Sequence, residues 1–416
     1  MKALALTSPY TYRTAKTMAS IQKNYLHQFE LKYGSNPHQK PAAIYSLEGD
    51  ELPFSVLNGQ PGYINLLDAI NAWQLVAELD EALELPAATS FKHVSPAGAA
   101  VHVPLDETLR EIYGCQNQEL TPLATAYIRA RGADPLSSFG DFIALSRKVD
   151  VQTAEIIRKM VSDGIIAPGY DEDALKLLKE KKDGKYIILK ADPEFKSPEL
   201  EFREVAGVVF SQQRNTMKIN ENSLLTVVVT KNTTLTDAAR RDLVLASITL
   251  KYTQSNSVAY ALNGQMIGIG AGQQSRVDCT KLAGRKTDVW FLRQHPKVRN
   301  LPFHEQVGSV ERTNARILCI EGGMTEPELR AWKSLFKGPT EALSMVEKEE
   351  WLTKLAGVSL SSDAFFPFRD NIDQASKRGV DYVVQPGGSN RDQEVIAATD
   401  EYGMVMLFSG IRLFHH

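Results

Sequence analysis

Cysteine is scarce in this 416-residue sequence: Cys115, Cys279 and Cys319 are an odd number and widely spaced. Neither a disulfide framework nor a CxxC metal knuckle can be written with them, and a reducing, cytoplasmic setting is the expectation. No run approaches the roughly 18 consecutive apolar residues of a membrane helix, and the apolar stretch after Met1 is too short for a signal peptide. Neither sign of charge dominates. Lys plus Arg number 47 against 50 Asp plus Glu, a net charge of −3, so nothing announces nucleic-acid or membrane binding. Net charge does not register a local basic pocket for a phosphate. Zinc is not expected, since none of the eight histidines completes HExxH or HxE with PCxxC; His304-Glu305 begins the first pattern and no second His follows. Walker A is missing too. Gly268-Ile269-Gly270-Ala271-Gly272 begins a dinucleotide fingerprint, but Gln273 stands where its last glycine belongs.

What remains is an ordinary globular composition, 43% hydrophobic and 23% charged, on a chain long enough for two or three domains. Residues 87–91, 142–145, 225–230 and 382–385 read as strands. Leu243, Ala246, Ser247 and Leu250 keep the i, i+3, i+4, i+7 spacing of a helix, with Thr236 as its N-cap, and residues 395–398 read as helical. Such alternation argues an α/β fold. Residues 1–30 read as an N-terminal arm, and 176–185 and 193–204 as charged linkers. A weak echo pairs residues 91–96 with 251–256, and 137–142 with 361–366. Duplication with a large insertion at 284–350 and chance similarity both account for it.

Polar residues crowd into turns rich in Gly, Ser and Pro. Lys92-His93 closes a strand; a cation there favours a neutral imidazole base and can donate to an oxyanion. A snorkelling Lys beside a carbonyl-bonded His is the plainer reading. Residues 251–257 can all form side-chain hydrogen bonds, and Thr253, Ser255 and Ser257 put oxygens on one side of an extended strand, as a monovalent cation requires or as a polar edge strand shows. Gln273, Gln274, Ser275 and Arg276 suit a carboxamide or a phosphate. Phe365, Phe366 and Phe368, leading into Arg369-Asp370-Asn371, can stack a planar ring or simply carry a strand into a helix. The apolar-basic end around Arg412 is either tucked in or frayed.

Residues 33–39, 90–98, 251–257, 268–276, 361–371 and 412–416 resemble, in register and in the same order, the transformylase domain of the bifunctional purine-biosynthesis enzymes. In these, 5-aminoimidazole-4-carboxamide ribonucleotide (AICAR) formyltransferase is joined to IMP cyclohydrolase. The resemblance implies two cytidine deaminase-like subdomains, 31–200 and 201–416, the second with a helical insertion at 284–350. It implies formyl transfer from 10-formyltetrahydrofolate to the 5-amino group of AICAR, in a homodimer with sites at the subunit interface. A non-catalytic nucleotide-binding protein of the same fold is the alternative. By the same resemblance, Lys92, His93 and Asn256 are the catalytic residues, while Phe139, Gly140, Phe365, Pro367, Ser389 and Asn390 border the folate. Asp163, Arg276, Asn314, Asp370 and Asn371 hold the nucleotide, and Lys32, Tyr33 and Arg412 meet its phosphate. Potassium would lie among Thr253, Ser255, Ser257, Asp363 and the Leu413 carbonyl. Two departures stand out. Lys32 replaces the Arg of animal members, and only about 30 residues precede the first motif, so a separate cyclohydrolase is expected to close the ring to IMP.

Overall fold

In the first half of the chain, short alanine- and isoleucine-rich runs pair into sheet. The computed structural model describes residues 21–47 and 51–416, so residues 1–20 of the expected arm lie outside the described residues. The strands β1 (Tyr25–Glu30) and β2 (Ala43–Leu47) form a separate antiparallel hairpin. Then β3 (Phe54–Asn58), β4 (Ala87–Lys92), β5 (Ser95–Val101), β6 (Asp141–Leu145), β7 (Ser162–Ala167) and β8 (Ile187–Ala191) assemble in the order β5-β4-β6-β7-β8-β3. A second, exposed hairpin, β9 (Leu200–Val205) with β10 (Val208–Gln213), precedes the second half. There β11 (Val227–Val228), β12 (Val258–Leu262), β13 (Gln265–Gly270), β14 (Val358–Ser362), β15 (Val380–Gln385) and β16 (Val405–Phe408) take the order β13-β12-β14-β15-β16-β11.

The two orders are the same order. In each half a hairpin leads, its first strand pairs antiparallel with the next, two parallel pairs follow, and an antiparallel strand closes the edge. An antiparallel bridge, Gln265 to Ala100, joins β13 to β5 and makes one 12-stranded mixed sheet. Helices Tyr63–Leu83 and Asp237–Lys251 cover one face with a single apolar core. Helices Pro122–Ala133, Val151–Lys159, Glu172–Lys179, Arg276–Leu292, Asp370–Ser376 and Asp392–Glu401 cover the other. Glycine permits the closest approaches at matching places: a Cβ on Gly98 of β5 would sit 2.1 Å from Ala130 O, and one on Gly268 of β13 would sit 2.2 Å from Ala283 O. A third apolar core, around Trp332, Phe303 and Phe336, lies within residues 292–343 and is helical.

Sequence periodicity places most of these elements, with three corrections. Residues 225–230 form a ladder only at Val227–Val228, because Thr230 uses its hydroxyl, not its backbone, to take the Met406 N–H at 2.9 Å. Residues 176–185 are no linker: they finish the helix Glu172–Lys179, where Leu178 is fully buried, and turn into β8. Of 193–204, the last five residues belong to β9. The echo also falls on unlike places. Residues 91–96 form the β4–β5 turn, whereas 251–256 join a helix to β12; 137–142 enter β6, whereas 361–366 leave β14.

Thr236 does cap the Asp237–Lys251 helix, its hydroxyl accepting the Ala239 N–H at 3.1 Å. Thr236→Ala is expected to cost about 1 kcal/mol in urea denaturation, since it leaves one end N–H without its acceptor. An unchanged midpoint would contradict that role.

Candidate functional site

Pairing direction alone gathers most of the candidate residues on one rim of the sheet. Lys92 ends β4 opposite Ser95, and Phe91 faces Phe142 at the start of β6, which puts the start of β7 there as well. Across the centre, β13 ends and β12 begins on this same rim, Gly270 facing Val258. Val258 faces Ser362 at the end of β14, and the ends of β15 and β16 lie alongside. Lys92, His93, Phe139, Gly140 and Asp163 thus occupy one stretch of rim. Asn256, Arg276, Asp363, Phe365, Pro367, Ser389, Asn390, Arg412 and Leu413 occupy the next.

Lys92 and His93 sit on a two-residue hairpin turn whose central residues, His93 and Val94, have φ of 53° and 57°. Such a turn matches strand twist but suits Asn-Gly; a β-branched Val there is strained. A buried carboxylate holds it in place. Asp68, 6% exposed on the helix Tyr63–Leu83, accepts the Val94 N–H at 2.6 Å. Burial pushes the Asp68 carboxyl above its ordinary value, opposed by the Val94 hydrogen bond and by the charge of His93. His93 itself is exposed, free to meet a substrate. Lys92 Nζ donates to Phe139 O and lies 3.6 Å from where a Cβ of Gly140 would stand, so the expected folate border touches the expected catalytic cation. Asp163, paired with Lys182 at 2.7 Å, is close enough for its charge to act on Asp68.

The second stretch is built around the Asp363 carboxylate, fully buried after β14. Ser255 Oγ donates to it at 2.6 Å, Ser257 N–H at 2.9 Å, and Arg276 Nη1 forms an ion pair with its other oxygen. Arg276 Nη2 also donates to Asn256 Oδ1 at 2.9 Å, and Asn256 Nδ2 to Gln274 O at 3.2 Å, which fixes the amide's orientation. The Cys279 thiol, donating to Asn256 O, is pushed up to about 12 by burial, which leaves it protonated at neutral pH. The chain end is tucked in: Leu413 N–H bonds Asp363 O at 2.8 Å, and His415 and Ser255 exchange two bonds. Burial lowers the His415 imidazole below its ordinary value. Gln254 N–H, at 3.3 Å from Ser95 Oγ, links this stretch to the Lys92–His93 turn.

Other expected residues fall elsewhere or point inward. Asn371 is fully buried, bonded by Thr280 and donating to Asp370, so it supports the helix Asp370–Ser376 and Asp370 alone is half-exposed. Phe365 is exposed beside Pro367, whereas Phe366 is buried, its N–H held by Gln385. Lys32 and Tyr33 follow Leu31 in the β1–β2 connection, and Asn314 is exposed on the helix Ser309–Glu321; no hydrogen bond among the described residues ties these three to the rim. Arg412 is exposed, its guanidinium 4.7 Å over Phe414. Two cavities of about 520 and 450 Å³ share Asp288, Glu349 and Leu352 and lie by the opposite rim, where Gly379 precedes β15.

Of the oxygens expected around a monovalent cation, Ser255 Oγ lies on the Asp363 carboxylate, and Ser257 Oγ is buried with no partner among the described residues. Thr253 Oγ1 already donates to Thr249 O at 2.7 Å, and Arg276 holds one Asp363 oxygen. Among the described residues no group of three or more His, Cys, Asp and Glu could hold a metal, and no helix is long and apolar enough to cross a membrane. Sequence reasoning missed two residues. Asp68 anchors the Lys92–His93 turn. Glu78, 6% exposed, pairs with Lys251 at 2.7 Å and accepts the Tyr252 hydroxyl at 2.7 Å. Both are acids on the buried face of a helix otherwise lined by Leu66, Ala72, Leu75 and Leu79, and that misfit was their signal.

A family model described as AICARFT/IMPCHase bienzyme matches residues 1–286. The chain is 33% identical over 417 residues to the bifunctional purine biosynthesis protein PurH of Magnetococcus marinus, covering 95% of this chain and 62% of that protein. Against the protein of the same name from Elusimicrobium minutum the identity is 33%, covering 93% and 58%. Against that from Cereibacter sphaeroides it is 34%, covering 93% and 59%. The chain therefore spans about six tenths of the length of these relatives.

Proposed function

Because the chain belongs to the AICARFT/IMPCHase bienzyme family, we propose that it transfers the formyl group of 10-formyltetrahydrofolate to the 5-amino group of AICAR. The observation that carries this reading is the shared rim: an exposed imidazole on a strained, carboxylate-anchored turn, with a lysine at the residues bordering it. The strain is sustained by Asp68 and aims a base outward.

The aminoimidazole nitrogen is a weak nucleophile, its lone pair drawn toward the carboxamide. His93 takes its proton as the new C–N bond forms, and Lys92 donates to the formyl oxygen as charge gathers there. The bond from the formyl carbon to the folate nitrogen then breaks, and a proton returned to that nitrogen gives tetrahydrofolate. Asn256, held by Arg276, orients the formyl group. Ser255, Ser257, Asp363, the Leu413 carbonyl and Thr253 would hold a potassium ion, whose charge would help to order that loop.

The protein works as a homodimer of two cytidine deaminase-like subdomains, 31–200 and 201–416, and the repeated strand order supports the division. With the sites at the subunit interface, His93 of one chain and Arg412 of its partner are assigned to the same copy of the site. Incubation with both substrates tests the reaction. Tetrahydrofolate released in step with formyl-AICAR supports transfer; AICAR binding with no release is the result of the non-catalytic alternative.

Lys32 is assigned to the nucleotide phosphate, with Tyr33 and Arg412. A lysine contributes a point charge where a guanidinium gives two parallel bonds. Lys32→Ala is expected to raise KM for AICAR about ten- to a hundredfold, in line with ~1.5–3 kcal/mol for a charged hydrogen bond, with little change in kcat. The nucleoside lacking the phosphate should be indifferent to the substitution; equal weakening of nucleoside and nucleotide would make Lys32 a structural residue.

A further inference from the structure

Where the helix Arg276–Leu292 ends, far from Arg276, it meets a crowd of arginines that have too few acceptors. Arg293 is 6% exposed; it donates to Gly132 O and lies 6.0 Å over the Tyr113 ring, yet its Nε is buried without a partner. Arg299 pairs with Glu111 through Nη1, and its Nε too is buried and unpartnered. Arg312 and Arg316, one turn apart on the helix Ser309–Glu321, both stand over Phe303, at 5.1 and 5.4 Å. Arg312 donates to Val307 O and His304 O, whereas Arg316 donates to no acceptor among the described residues. The charges of Arg312, Arg293 and Glu111 all reach Arg316. Burial first, then the two like charges, lowers its guanidinium from the ordinary value.

Four guanidinium charges less the one carboxylate of Glu111 leave a surplus of three. Asp134, the other acid whose charge reaches Arg293, is already paired with Lys286 at 3.0 Å. Buried polar groups in folded proteins find partners, so two unpartnered Nε donors and an Arg316 guanidinium with no acceptor among the described residues leave the cluster short of an anion. Guanidinium forks match phosphate oxygens in pairs, and a dianion offsets more of this surplus than a single carboxylate does. We propose that Arg293, Arg299, Arg312 and Arg316 bind the phosphate group of a small phosphate monoester, at a second site distinct from the sheet rim. This goes beyond the transfer reading and does not depend on it.

Titration calorimetry of the whole chain with inorganic phosphate at low ionic strength tests the proposal, because salt screens such contacts. Arg316→Gln is the informative variant: Arg316 is half-exposed and has no protein acceptor to lose, so the fold is expected to persist. Phosphate binding at this cluster should weaken at least tenfold in Arg316→Gln, and again in Arg312→Gln, while Lys176→Gln, exposed on the helix Glu172–Lys179, leaves it unchanged. Unchanged binding in Arg316→Gln, or an equal loss in Lys176→Gln, overturns the proposal. Sodium glutamate binding as tightly as phosphate overturns the choice of ligand.

Discussion

His93→Ala is expected to slow formyl transfer by about a hundredfold or more while AICAR affinity stays within tenfold, the usual range for removing a general base. The separation follows from what His93 does. In the proposed transfer it acts on a proton in flight, an interaction absent when AICAR merely sits in the site. The structure makes this a clean experiment, because His93 is exposed and the turn is held by the Val94 N–H to Asp68, not by the imidazole. Single-turnover kinetics with a separate AICAR binding measurement reads both quantities. Near-normal turnover in folded His93→Ala protein would remove His93 from the mechanism.

Glu78→Ala is expected to destabilise the protein by roughly 3–5 kcal/mol, because it strands a buried ammonium. Lys251 is 7% exposed, and among the described residues its ammonium donates to Glu78 and the Met217 carbonyl alone, at 2.7 and 2.8 Å. The Tyr252 hydroxyl loses its acceptor in the same step. The pair also ties the helix Tyr63–Leu83 of one half to Asp237–Lys251 of the other, the two helices on one face of the sheet. Urea denaturation reads the loss, and Glu78→Leu with Lys251→Met should recover most of it by removing both charges. A Glu78→Ala protein within ~1 kcal/mol of the parent would mean that water reaches Lys251.

Strands and the long helices were legible because their periodicity is local: β4, β6, β15 and the Asp237–Lys251 helix follow from apolar spacing and a Thr cap. The short helix Glu172–Lys179 was not, since one buried turn inside a run of lysines looks like a solvated linker. The geometry of the Lys92–His93 turn was not legible, because His-Val is a poor sequence for a turn with both φ values positive. The rim could not be read at all. It depends on which strands run antiparallel, and the β13–β5 join that aligns the two halves rests on one bridge between residues 165 positions apart. Asp68 and Glu78 were passed over for the same reason: their partners, Val94 and Lys251, are distant in sequence.

Mixing two inactive variants tests most directly whether rims of two chains complete one site. His93→Ala lacks the base, and Arg412→Glu opposes the phosphate when AICAR is kept far below KM. In a symmetric dimer, re-association at equal amounts makes half of the dimers mixed, and each mixed dimer carries one intact site of two, about a quarter of parental activity. The account predicts that recovery. Activity no higher than in either variant alone, with mixed dimers demonstrated, would contradict it, because His93 and Arg412 would then serve the same site from the same chain.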